Sequence, residues 1–160
     1  MAAEWRVYLS GEIHTDWRQE IADGARAARL DIAFSSPVTD HAASDDCGVV
    51  ILGAEPDNFW HDRKGAGVNA VRTRTLIEKA DIVVVRFGDK YKQWNAAFDA
   101  GYASALGKSL IILHPPEYAH ALKEVDEAAS AVAETPAQVV EILRYVIRGE
   151  LPDRQRAAAE

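Results

Sequence analysis

Short apolar runs alternate along the chain with longer segments of helical period. Two of the runs, "DIVVVRF" (81–87) and "SLIILH" (109–114), show no polar alternation, as strands buried on both faces read. "WRVYLS" (5–10), "DIAFSS" (31–36) and "SAVAE" (130–134) predict three more strands, the first stopped by Gly11 and the second by Pro37. Residues 15–30 predict a helix, with Thr15 or Asp16 as N-cap and Ile21, Ala25 and Ala28 at helical spacing. Further helices are predicted over 70–80, over 95–106 with Gly107 as its stop, and over 118–129. Residues 135–149 carry a full start signal: Thr135 as N-cap, Pro136 at the first helical position and Gln138 three residues after the cap. This order predicts βαβ units, hence a three-layer α/β/α sandwich with a five-stranded, mostly parallel sheet of the Rossmann or flavodoxin-like kind.

Residues 37–69 fit this scheme worst. They read as a long connection, and in a compact domain such a connection is usually functional, as a pocket wall or lid. Its "VVIL" (49–52) reads as an edge strand or as a segment packed under the loop.

Composition narrows the class. The chain has 160 residues, 48% hydrophobic and 27% charged, which predicts one soluble domain over 1–150 and a frayed tail over 151–160. A net charge of -7 argues against a nucleic-acid polymer as partner, because polyphosphate binding needs clustered Lys and Arg. The single cysteine, Cys47, fits a reducing compartment, and neither a signal peptide nor an apolar run of ~20 residues is present. A cytoplasmic protein with no membrane partner is the expectation. Five histidines and one cysteine show no metal-ligand spacing, so no metal site is expected. "GAG" (65–67) is too short and misplaced for a dinucleotide fingerprint, and no P-loop occurs.

Ligands of open parallel sheets bind outside the carboxyl ends of the strands. Those ends carry Ser10, Gly11, Glu12, His14 and Trp17 after the first strand, and Arg86 and Asp89 after "IVVV". Glu12 and His14 suit either proton transfer and sugar contact or capping of the next helix. Arg86 suits either an anionic group or a pair with Asp89. His114 reads as a turn residue, Asp81 as structural, and Arg72 and Arg74 as surface charges on a helix. The remaining candidate is Asp99, in "NAAFDAGYASALG". Aspartate is a poor mid-helix residue, yet Asn95, Asp99 and Tyr102 fall at i, i+4 and i+7 and share a face, among small residues that permit close helix packing.

"FDAGYASALGKSLIIL", preceded by "KADIVVVRF" and opened by "RVYLSGEIHTDWR", resembles the nucleoside 2-deoxyribosyltransferase superfamily over about residues 5–148, and most closely its YtoQ-like branch. The resemblance implies attack by a carboxylate on the anomeric carbon of a nucleoside or nucleotide, with retention, and no cofactor. It places Asp99 at the nucleophile, where the superfamily has glutamate. Tyr102 and Asn95 would orient it, and Glu12 or His14 would serve the leaving base. Ser10, Gly11, Trp17, Arg86 and Asp89 would complete the binding site. Two supporting acids of the superfamily align with Thr73 and Gln93, both neutral. A non-catalytic nucleoside or nucleotide sensor, or an interaction module, is therefore the alternative expectation. A homodimer or higher homo-oligomer is also implied.

Overall fold

The computed structural model describes residues 4–90 and 92–152, so the expected tail lies outside the described residues from 153 onward. Five strands, β1 (Trp5–Gly11), β2 (Ile32–Ser35), β3 (Ile82–Arg86), β4 (Ser109–Leu113) and β5 (Ala131–Ala133), form one sheet in the order β2-β1-β3-β4-β5. Every pairing is parallel. The helices are α1 (Trp17–Ala27), α2 (His41–Leu52), α3 (Asn58–Lys79), α4 (Trp94–Ala105), α5 (Ala119–Glu127) and α6 (Pro136–Arg148), with a 3₁₀ turn at Pro116–Tyr118.

Residue alternation divides the core in two. Val7, Leu9, Ile82, Val84, Ile111 and Leu113 face α1 and α6, against Trp17, Ile21, Val139 and Leu143. Tyr8, Val83, Val85, Leu110 and Ile112 face the other way, against Ile77 of α3 and Ala96, Ala100 and Ala103 of α4. Both faces of β3 and β4 are therefore dry, which is why their sequences lack polar alternation. The alanines of α4 let that helix lie close on the sheet. At the C-terminal segment, Thr135 and Gln138 close a reciprocal capping box, Pro136 opens α6, and Gly149 at φ 69° ends it.

Residues 37–69 depart from the expected long connection. They form α2 and most of α3, a helical hairpin, and "VVIL" is the last turn of α2 rather than a strand. Each helix has a one-residue start signal: Asp40 accepts from the Ala43 amide, and Asp57 from the Phe59 amide. The two helices meet backbone to backbone at Gly48 and Gly65, where a Cβ built on Gly48 would stand 2.3 Å from the Gly65 nitrogen. Since glycines make this contact, the hairpin needs no apolar stripe, and Val50, Ile51, Leu52, Phe59 and Trp60 are left on the outside. Among the described residues no helix is long and apolar enough to cross a membrane.

Candidate active site

In the order 2-1-3-4-5 the chain reverses direction between β1 and β3, and the crevice opens at the carboxyl ends of those strands. A cavity of about 620 Å³ lies there, walled by the β1–α1 loop, α3, the α2 face of the hairpin and the start of α4. That volume suits a small organic ligand.

Ser10, the sixth residue of β1, points toward the face covered by α3 and α4 and is 1% exposed. Its hydroxyl donates to Asp99 Oδ2 at 2.5 Å, across 89 residues of sequence. Asp99 sits in the second turn of α4, half-buried and lining the cavity. Burial raises its carboxyl above the ordinary 3.8, and the Ser10 hydrogen bond opposes this only in part. A desolvated carboxylate held by one short hydrogen bond is a suitable nucleophile, because little water must be stripped from it.

Tyr102 and Asn95, the groups expected to orient Asp99, make no hydrogen bond to it among the described residues. The Tyr102 hydroxyl lines the same cavity but donates to Glu78 Oε1 of α3 at 2.6 Å. Asn95 shares the wall, one turn before Asp99, as the i, i+4 spacing requires. Ser10, expected as a ligand contact, is the residue that positions the carboxylate.

Glu12 also differs from expectation. Its carboxylate accepts from the amides of His14 at 2.6 Å and Thr15 at 3.1 Å, from the Thr15 hydroxyl, and from Arg86 Nε at 3.1 Å. Burial pushes the Glu12 carboxyl up, but the Thr15 hydroxyl, the His14 amide and the Arg86 charge outweigh it, leaving the group below 4.5. A carboxylate with four donors and a depressed pKa is not a proton donor at neutral pH; it is the anion that folds the loop. Arg86 accordingly pairs with Glu12 and not with Asp89, which accepts from the Tyr118 hydroxyl at 2.8 Å on the surface. Because the folded carboxyl is depressed, Glu12 contributes stability that is complete above pH 4.5 and disappears as pH falls through its folded value. Glu12→Gln is expected to cost about 3 kcal/mol, since Arg86 loses its partner. It should also flatten the acid side of the stability profile. An unchanged urea midpoint and acid profile would contradict the role.

Trp17 is not a ligand contact. It is 1% exposed, packs in the core on the α1–α6 face, and donates its indole Nε1 to the Glu12 carbonyl at 3.0 Å. Gly11 and His14 do border the cavity. Gly11 closes β1 at φ 115° with its α-carbon hard against Arg86, a conformation and approach that only glycine accepts.

Two residues, Arg18 and Tyr8, give no sequence signal of their role. The Arg18 guanidinium donates to the carbonyls of Leu9, Gly11 and Glu12, at 3.0, 3.1 and 2.7 Å, tying down the strand end. Burial lowers it to about 10, against the Glu12 and Tyr8 charges. Tyr8 lies inside the α3–α4 face, its hydroxyl driven up to about 12 by burial; the Thr73 side chain opposes this shift and the Asp99 charge adds to it. Thr73 and its neighbours Arg72 and Arg74 line the cavity, so the two arginines border the ligand space as well as solvent. Among the described residues no group of three or more His, Cys, Asp or Glu could hold a metal ion.

Comparison with known proteins gives a consistent result. Residues 8–147 match the family model described as nucleoside 2-deoxyribosyltransferase YtoQ. The chain is 44% identical over 147 residues to the uncharacterized protein YtoQ of Bacillus subtilis (strain 168), covering 92% of this chain and 99% of that one. Among solved structures, a conserved protein from Enterococcus faecalis V583 superposes with a TM-score of 0.62 at 14% identity, over 90% of this chain and 99% of that one. A 2-deoxyribosyltransferase from Bacillus psychrosaccharolyticus does so with a TM-score of 0.52 at 16% identity, over 84% and 90%. At such identities these two likenesses speak for the fold alone.

Proposed function

Because the chain belongs to the nucleoside 2-deoxyribosyltransferase YtoQ family, we propose that it cleaves the N-glycosidic bond of a nucleoside or nucleotide, with Asp99 as nucleophile. The observation that carries this reading is the hydrogen bond from Ser10 to the half-buried Asp99 carboxylate at the wall of the cavity. One carboxylate oxygen would attack the anomeric carbon while the bond to the base breaks. The bonding pair leaves with the base, which takes a proton from His14 or solvent. A second base, or water, then attacks the same carbon and releases the carboxylate, so that two inversions give net retention.

Ser10 would hold Asp99 in line with the anomeric carbon and keep the carboxylate ionised before attack. Glu12, Arg18 and Arg86 would act at one remove, by fixing the loop that carries His14. The test is chromatography of mixtures of the protein with nucleosides, nucleoside monophosphates and a second free base. Release of base, or its exchange with retention, supports the reading. Tight binding without any release would favour the sensor, a reading that the neutral Thr73 and Gln93 at the supporting-acid positions keep in play.

A further inference from the structure

The charged groups of the cavity wall are unevenly paired. Of its acids, Glu12 pairs with Arg86, Asp45 and Asp62 lie beside the His41 and His61 rings at 3.2 and 3.4 Å, and Asp99 accepts from Ser10. Its cations have no carboxylate partner. Among the described residues none of Arg72, Arg74, Lys90 and Lys92 takes part in an ion pair, although all four line the cavity. In a chain of net charge -7 these four cations stand among four lining carboxylates, Glu12, Asp45, Asp62 and Asp99, around one small volume. A neutral nucleoside would leave the four cations without an ion-pair partner.

We propose that the cavity takes its ligand as a nucleoside 5′-monophosphate, with Arg72 and Arg74 of α3 holding the phosphate. The inference rests on the reading of the cavity as a nucleoside site and names which form of nucleoside it admits. Arg72 is already oriented: one guanidinium nitrogen donates to the Ser36 carbonyl at 3.1 Å, at the end of β2, leaving other donors of the fork for a ligand. Arg72 and Asp99 both lie within electrostatic reach of the Tyr8 hydroxyl, and Arg74 within reach of Tyr102, one turn beyond Asp99. The arginines of α3 and the carboxylate of α4 thus line one cavity. A phosphate monoester carries a charge of about -1.5 to -2 near neutral pH and offers three acceptor oxygens, which guanidinium forks match in pairs. Lys90 and Lys92, on the loop before α4, add to the field without needing direct contact.

The experiment is titration calorimetry with the four 2′-deoxynucleoside 5′-monophosphates and their parent nucleosides, at low and high salt. It is run on the wild type, on Arg74→Gln and on the Arg72→Gln/Arg74→Gln double variant. 2-Deoxyribose 5-phosphate serves as a probe that has no base. At least one monophosphate is expected to bind tenfold or more tightly than its nucleoside, or ~1.4 kcal/mol. The double variant should reduce that ratio to about threefold or less, and salt should weaken the monophosphate alone. Arg74 has no tie like that of Arg72 to Ser36, so its single variant keeps the comparison readable if the double variant unfolds. Equal affinity for nucleoside and monophosphate overturns the inference while leaving cleavage of nucleosides open. Binding of 2-deoxyribose 5-phosphate, lost in the variants, with no base released from any nucleotide, sustains the inference and sinks the glycosidic reading instead. A phosphate advantage that survives both substitutions overturns the assignment to Arg72 and Arg74.

Discussion

Asp99→Asn should reduce base release by at least ~10³-fold, the scale on which removal of a nucleophile acts, while the protein stays folded. The asparagine oxygen can still accept from Ser10, but it cannot form a glycosyl ester. The stability effect has the opposite sign. The folded carboxyl of Asp99 is raised by burial, so its contribution favours the fold at low pH and is lost as pH rises through the folded value. Asparagine removes that buried charge, and the melting temperature at neutral pH should stay level or rise slightly. In the wild type the acid limb of kcat/KM should lie above pH 3.8, because the carboxyl must ionise before it attacks. Asp99→Glu restores the longer acid of the superfamily at the same position and asks whether α4 is placed for the shorter one. Persistent turnover in Asp99→Asn would remove the nucleophile from this residue.

Gly11→Ala is expected to be the most damaging single methyl in the protein. A Cβ at this position would lie 2.1 Å from the Arg86 carbonyl oxygen, which is also the acceptor of the Glu12 amide, and φ is 115°. The strand pair β1–β3 would have to open at the site's edge, so a loss of at least ~3 kcal/mol follows, with a melting point lower by roughly 10 °C. Gly101→Ala is the control. No neighbouring atom lies within 4 Å of its built Cβ, and its helical backbone favours alanine by about 0.5–1 kcal/mol. Thermal melts of the two variants should move in opposite directions, and parallel shifts would show that the approach at Gly11 is not what limits substitution.

The contrast between these glycines also marks what the sequence could convey. β3, β4 and α6 were legible because each carries a local signal: an unbroken apolar run, or Thr135, Pro136 and Gln138 in the spacing of a capping box. The α2–α3 hairpin was not, because its stabilising contact is between two glycine backbones and its β-branched "VVIL" turn faces outward, a pattern that reads as a strand. Trp17 was misplaced for a related reason. A tryptophan at the start of a helix just past a strand end reads as a ligand contact, but the first turn of α1 faces the sheet, so the indole enters the core. Asp99 was singled out through its odd position in a helix of small residues and through the resemblance it carries. Its partner Ser10 could not be assigned that role, since no pattern in sequence couples a strand end to a helix so far along the chain. Glu12 was visible as a site residue with either role open; only the hydrogen bonds to His14, Thr15 and Arg86 decide for the loop.

That separation of 89 residues also sets a timetable for synthesis. β1 leaves the ribosome early, but its neighbour β3 follows only after α1, β2 and the whole helical hairpin, and α4 comes later still. Chains grow at about 5–20 residues per second, so the first strand waits several seconds for its central partner. During that wait Ser10 has no carboxylate to hold, and the exposed rim of the hairpin is already made. A nascent chain therefore spends its vulnerable period with the cavity unbuilt, and the Ser10–Asp99 bond can form only once the centre of the sheet has closed.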